Sequence, residues 1–332
     1  MKGVTLVLAP FLVGGLLLAT GAGAASKPRL RVGYVAFAGT VPSERDLFGA
    51  PLLGYLRAVR KLGVQGRVVY VAPNEDSTGA LTSLARQKYD LIINGTPDPN
   101  GVDAVAKRFP RVKFLLPATP IQALRHRPKN VRGSVYRVEE AAYLAGYLAA
   151  LMDDRRRGKH LISAVGGVPF PGVTRWIVGY RAGAKKADPA IAVRVNYTND
   201  FANPAKCRRA ALSQIAAGSG VVFNVAGACG LGALRAAKEK GAWGVGVDVD
   251  QSFLGRHILT SAIGNWDKRV FDSVRGLVRG KFTTGGNGIF GLRNQGVELG
   301  RISPKVPRRV LRRLDRVRKA IITGKIRVPR VS

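Results

Sequence analysis

From Arg31 onward, short apolar runs alternate with longer stretches whose apolar residues recur at helical spacing, the pattern of strands joined by crossover helices in a parallel sheet. Strands are predicted over Arg31–Phe37, Arg67–Val71, Leu91–Asn94, Val112–Leu116 and Val131–Tyr136, with helices over Leu47–Leu62, Thr78–Lys88 and Asn100–Phe109 between them. A long helix follows over Glu139–Asp153, ended by the charged run 154–159. A second series then begins, with strands over Leu161–Val165, Ala192–Tyr197, Val221–Val225 and Gly244–Val247 and helices over Val173–Ala187, Pro204–Ala217 and Leu231–Lys240. A further strand and helix, Ile258–Ile263 and Lys268–Arg279, give the chain material to cross back. Two such series predict an α/β fold of two doubly wound parallel-sheet lobes, with ligand loops at the carboxyl ends of the strands and a cleft between those edges. One lobe is expected from 27–135 plus 255–288 and the other from 137–250 plus 289–332. Crossings are expected near Val135, Asp248–Gln251 and Asn287–Leu292.

The two ends of the chain depart from this pattern. Met1 and Lys2 precede an apolar run from Val4 to Ala19 and then Ala22-Gly23-Ala24, the charge, apolar stretch and small-residue site of a secretory signal occupying 1–24. The other reading is an uncleaved anchor, since the run is only slightly short of the roughly 20 residues a span needs. No cysteine follows the run, so lipid attachment there is not expected, and the chain is placed at the cell envelope on the periplasmic or extracellular side. At the far end, Val310, Leu311, Leu314, Val317 and Ile321 recur at helical spacing among arginines. This tail reads either as a helix that meets a membrane surface or polyanion, or as a helix capping its own lobe.

Charge sharpens the question. Fifty-four Lys and Arg against 20 Asp and Glu leave a formal +34. The basic residues are spread along the chain without a zinc-finger spacing, an RNA-binding aromatic motif or a zipper, so a specific nucleic-acid partner is not expected. Anionic lipid headgroups and cell-wall polymers suit an exported protein better. The two cysteines, Cys207 and Cys229, are open to two readings, a disulfide or two buried thiols; a disulfide requires α-carbons within about 7 Å. His126, His160 and His257 are scattered, so no metal is expected. No nucleophile elbow, His-Glu-x-x-His pair or Walker loop is present. Gly227–Gly232 is a weak match to a dinucleotide loop, and Cys229 has no histidine near it in sequence. Neither an enzyme nor a cofactor is predicted.

Several segments together resemble the basic membrane protein family of ABC-transporter binding proteins, which includes bacterial purine nucleoside receptors. They are the run from Glu139 to Met152 with its Tyr143-Leu144-Ala145-Gly146-Tyr147-Leu148, then Val165-Gly166-Gly167, and Gly179-Tyr180-Arg181-Ala182-Gly183. Asn203-Pro204-Ala205-Lys206, Ala226-Gly227, Gly246-Val247-Asp248-Val249-Asp250-Gln251, Leu259-Thr260-Ser261 and the closing 321–329 complete the order. The resemblance implies a periplasmic-binding-protein type I scaffold, a permease partner and a nucleoside-like solute. In such a cleft aromatic faces cover the base and carboxylates accept the sugar hydroxyls. On this sequence it points to Trp176 and Asp248; position after successive parallel strands adds Phe37 and Asp98, and Phe48 and Asp250 beside them complete the predicted ligand set. From the residues alone, Trp176 has a second reading as a core indole and Asp248 as a turn residue.

The departures bear on the solute. Phe37 stands where the family has its first acid, Pro117 or Ala118 where it has a second, and Gly264 where a lysine follows Thr-Ser. Stacking is therefore expected to persist and sugar recognition to weaken, unless Glu44 or Asn265 takes over. A polyanion-binding surface protein and a ligand-sensing receptor subunit are the alternatives on the same scaffold.

Overall fold

The computed structural model describes residues 29–153 and 160–331. The signal segment and the run 154–159 lie outside them. The chain opens with β1 (Arg31–Phe37), α1 (Gly49–Leu62), β2 (Gln65–Val71), α2 (Thr78–Arg86), β3 (Leu91–Asn94), α3 (Pro99–Arg108), β4 (Lys113–Leu115) and β5 (Val131–Tyr136). It continues through α4 (Val138–Asp153), β6 (Leu161–Gly166), α5 (Pro171–Ala187), β7 (Ala192–Tyr197), α6 (Pro204–Ala216), β8 (Val221–Val225), α7 (Cys229–Glu239) and β9 (Trp243–Asp248). Then come β10 (Ile258–Gly264), α8 (Trp266–Val278), β11 (Gly286–Phe290), β12 (Val297–Leu299) and α9 (Arg308–Ile322).

These elements form two six-stranded sheets, ordered β11-β5-β4-β3-β1-β2 and β12-β10-β9-β8-β6-β7. Every pairing is parallel except that of β12 with β10. The central strands β3, β6 and β8 are buried along their whole length, as expected where helices cover both faces of a parallel sheet. Proline opens α3, α5 and α6, where the missing amide hydrogen costs nothing, and Asp98 and Asn203 cap α3 and α6 with side-chain oxygens.

The expected two lobes are present, but the middle crossing lies elsewhere. β10 bonds to β9 in the second sheet, Ile258 pairing with Gly244 and Ile263 with Asp248. The chain therefore stays in the second lobe until Gly264 and returns through α8, which packs on α1. Asp248–Gln251 is a loop within the second lobe. The three connections are at Arg137, Asn265 and Gly291. The short strands β11 and β12, rich in or flanked by glycine, have no apolar run long enough to announce them.

The most family-specific segment is a packing device. Along the α4–α5 crossing, a Cβ on Gly146 would stand 1.9 Å from the Tyr180 carbonyl oxygen, and one on Gly183 would stand 1.8 Å from that of Tyr143. Only glycine admits so close an approach of two backbones. The tail helix α9 buries Val310, Leu314, Val317 and Ile321 in the second-lobe core, against α4. Its apolar stripe thus caps its own lobe.

Candidate functional site

The carboxyl end of β1 carries an aromatic pair. Half-buried Phe37 meets exposed Phe48 edge-on, with ring centroids 5.8 Å apart. The loop between them is shaped by short-range bonds: Asp46 Oδ1 accepts from the amides of Phe48 (3.0 Å) and Gly49 (2.6 Å), and Ser43 Oγ from that of Arg45 (3.1 Å). Loop and rings line a cavity of ≈ 530 Å³. Asp98 serves its own lobe. Its Oδ1 accepts from Gly101 N at 3.0 Å, and Oδ2 from Ser77 N at 3.0 Å and Ser77 Oγ at 2.8 Å. Burial works to raise its carboxyl, but these bonds outweigh burial and hold it below the usual carboxylate range. It ties the start of α2 to the start of α3.

Asp248 presents the opposite case. It ends β9 with φ +65°, in the left-handed region, and its carboxylate has no hydrogen-bond or ion-pair partner among the described residues. Burial pushes that carboxyl up to about 7. A strained, partly buried and unpaired acid at a strand's carboxyl end is the arrangement expected of a ligand group. The surrounding loop is braced from behind. Gln251 Oε1 accepts from Asn224 Nδ2 and from Val247 N, both at 3.2 Å, and Ser261 Oγ accepts from Gln251 N at 3.0 Å. Trp266 Nε1 donates to the Asp248 carbonyl at 3.0 Å. Asp250 is a turn residue, accepting from Ser252 N and Oγ, each at 3.1 Å, and from Arg301 N at 3.3 Å.

Trp176 is 4% exposed within the second-lobe core. In this conformation it has no free ring face for a solute. It points inward because it sits on the α5 face, with Val173, Ile177 and Tyr180, that packs on α4. Among the second lobe's exposed aromatics, Phe170 and Phe201, 47% and 40% exposed, form a pair whose centroids lie 6.1 Å apart edge-to-face. Phe170 follows β6 and Phe201 follows β7. A Cβ on Gly167 would stand 2.3 Å from the Phe201 ring, so Gly167 makes room for it. Phe201 is held by its neighbours on both sides. Asp200 Oδ1 accepts from Ala202 N (2.7 Å) and Asn203 N (2.8 Å), and the Phe201 carbonyl accepts from Cys229 N (2.9 Å). Lys206 above all, with those two amides, holds Asp200 down at about 2. Behind the loop Cys207 and Cys229 form a disulfide with α-carbons 5.5 Å apart, joining α6 to α7. The sequence signal for both rings is an aromatic shortly before a helix-opening proline, Pro171 or Pro204.

The two edges face each other. The Arg45 guanidinium, from the β1–α1 loop, lies 4.9 Å over the ring of Phe253, from the β9–β10 loop. Leu47 and Ala50 reach the second-lobe core cluster. At the connections Tyr136 packs at a tilt against Trp266 at 4.1 Å and against Phe290 at 4.9 Å, so one aromatic from each crossing meets in a single cluster. Gly264 belongs to it, since a Cβ there would stand 2.5 Å from the Trp266 indole. The lysine implied by the resemblance at Gly264 is thus replaced by space for Trp266. Glu44 is paired with Arg57, while Asn265 Nδ2 donates to the Gln295 carbonyl and to Glu298 Oε1, each at 2.8 Å. Both are engaged within the protein.

The model of a family described as "ABC transporter substrate-binding protein PnrA-like" matches residues 53–332. The chain is 30% identical over 273 residues to the "ABC transporter nucleoside-binding protein BmpA" of Lactococcus lactis, covering 76% of this chain and 75% of that one. Among solved structures, a solute-binding protein of an ABC transporter system from Aeropyrum pernix superposes with TM-score 0.74 at 22% identity, over 92% of this chain and 94% of that one. A protein from Bacillus halodurans described as a transcriptional activator of the comK gene superposes with TM-score 0.76 at 18% identity, over 90% and 99%. One scaffold therefore carries different roles, and at these identities the superpositions establish the fold alone.

Proposed function

Because the chain belongs to the family of PnrA-like ABC transporter substrate-binding proteins, we propose that it binds a planar aromatic solute between its lobes and delivers it to a membrane permease. The observation that carries this reading is an edge-to-face phenylalanine pair at the carboxyl end of each sheet, half-buried Phe37 with exposed Phe48 and exposed Phe170 with Phe201. A flat ring entering between them covers apolar area and stacks on both sides. Asp248 supplies one acceptor for a donor at the solute's edge. The name of the Lactococcus relative supports a base-containing solute. With Glu44 and Asn265 engaged and no lysine at Gly264, the sugar of a nucleoside is read weakly. The role is binding and release: closure shifts the population toward the form that a permease recognises. We also propose that 1–24 direct export, and that the protein's basic surface meets anionic components of the envelope.

A thermal-shift screen of nucleobases, nucleosides and small aromatic metabolites tests the reading, because a ligand selective for the folded state raises its melting temperature. A base should shift the transition, and calorimetry should find its nucleoside within about tenfold in affinity. Submicromolar inosine, guanosine or adenosine binding that Asp248→Ala abolishes, with the base itself not binding, would show that the sugar is the recognised part. Salt-sensitive binding to polyanions without any saturable solute would favour the surface-protein alternative, which offers no reason for paired aromatics in a cleft.

A further inference from the structure

We propose that the outer face of α9 is a docking surface for an anionic phospholipid bilayer, holding the protein beside its permease. This rests on the family's delivery role and on the proposed meeting of the basic surface with the envelope, but not on the solute's identity. The tail 301–332 holds twelve basic residues and one acid, and seven of the basic residues lie on α9 itself with Asp315 as the single acid. Burying Val310, Leu314, Val317 and Ile321 turns all seven outward, and all are exposed. Only Lys319 pairs with Asp315, at 2.8 Å. Arg308, Arg309, Arg312 and Arg316 have no carboxylate partner among the described residues. Elsewhere Arg57, Arg175, Arg208 and Arg275 each meet an acid within 2.7 Å, while exposed Arg60, Arg86 and Arg111 stand unpaired among the described residues but scattered over the first lobe.

What sets α9 apart is density, seven basic residues against one acid on a single helix of 15 residues. A positive face this dense costs self-repulsion unless something negative covers it. Arg308, Arg312 and Arg316 recur every four residues, so their guanidinium groups form one row along a rigid helix of 15 residues, about 22 Å long. Such a row matches a planar array of phosphodiesters, which arginine grips bidentately. Leu311, 37% exposed beside Arg312, gives the face an apolar side chain for the headgroup boundary. None of the cleft residues belongs to α9, so docking leaves the solute site open.

The test is co-sedimentation of chain 25–332 with phosphatidylcholine vesicles, with and without phosphatidylglycerol. Two fourfold variants are compared with the natural chain: R308Q/R309Q/R312Q/R316Q on α9, and R60Q/K61Q/R86Q/R111Q on the first lobe, which removes equal charge from exposed positions. Melting temperature confirms that each variant is folded. The natural chain should bind only the anionic vesicles and be released at high salt. The α9 variant should lose at least about tenfold in partitioning, and the first-lobe variant less than about twofold. Equal losses in both variants, or undiminished binding of the α9 variant, would overturn the proposal. So would binding to soluble teichoic-acid-like polyphosphate without binding to vesicles. Solute affinity of the α9 variant should be unchanged, so failure here leaves the cleft reading standing.

Discussion

The two lobes share a topology and hold the loops that carry their cleft aromatics by different means. On the first lobe the loop that carries Phe48 is shaped by side chains reaching two or three residues along the chain, Asp46 to Phe48 and Gly49, and Ser43 to Arg45. On the second lobe local bonds of the same kind, Asp200 to Ala202 and Asn203 and Asp250 to Ser252, are joined by long-range ties. The disulfide spans 22 residues, the Asn224–Gln251 bond 27 and the Asp250–Arg301 bond 51. Local bonds fix a turn but leave it able to move as a unit, whereas long-range ties fix a surface in place. The second lobe is therefore a preorganised floor that holds Phe201 and Asp248. In the proposed closure the first lobe contributes a self-contained aromatic loop, whose Arg45 lies over Phe253 of the second lobe.

That contrast can be broken most severely at the disulfide. Replacing Cys207 and Cys229 together by serine should cost about 3 kcal/mol of unfolding free energy, measured in denaturant, because the closed loop no longer restrains the unfolded chain. Solute affinity should fall with it as Phe201 is released. No pair of residues on the first lobe closes such a loop. Next in size, Gln251→Ala removes the acceptor shared by Asn224 and the Val247 amide and should cost about 1–3 kcal/mol, with weakened binding, since both donors are left buried and unpaired. Asp46→Ala on the first lobe should cost less, because its loop is exposed and water replaces the carboxylate.

Asp248→Asn separates stability from binding. An aspartate raised to about 7 in the folded chain keeps a proton that the unfolded chain releases near its ordinary value. The native state thus loses stability as pH rises from about 4 to about 7. The asparagine variant should melt higher than the natural chain at pH 8, with little difference at pH 4. Solute affinity of the natural chain should fall as pH drops from 8 to 6, where only about a tenth of the acid is ionised, and the variant should be flat over that range.

What the sequence made legible follows the same division. Alternating apolar runs show the two sheets, since a strand buried on both faces needs a continuous apolar run, as in Leu91–Asn94 and Val221–Val225. Helix openings at Pro99, Pro171 and Pro204 are legible because their chemistry is local. The return path through β10 is not, because which sheet a strand joins depends on partners far along the chain. Trp176 misleads for a related reason. An aromatic after a glycine loop can face the cleft or the α4 helix, and only the helix phase set by Gly179 and Gly183 decides. Asp248 and Asp98 look alike in sequence, each an acid near the end of a strand. The difference is that Ser77 and Gly101 satisfy Asp98 while nothing described satisfies Asp248. The glycine-spaced helix that most strongly suggests the family is the one that holds α4 to α5.

The central claim is that one solute is stacked from both lobes at once. Calorimetric titration of hypoxanthine or adenine, whichever gives the larger thermal shift, into the natural chain, Phe37→Ala and Phe201→Ala tests it most directly. Each substitution should weaken binding by about tenfold, one from either side of the cleft, with melting temperatures of the unliganded proteins little changed. Loss confined to one variant, or affinity unchanged in both, would contradict the two-sided aromatic clamp.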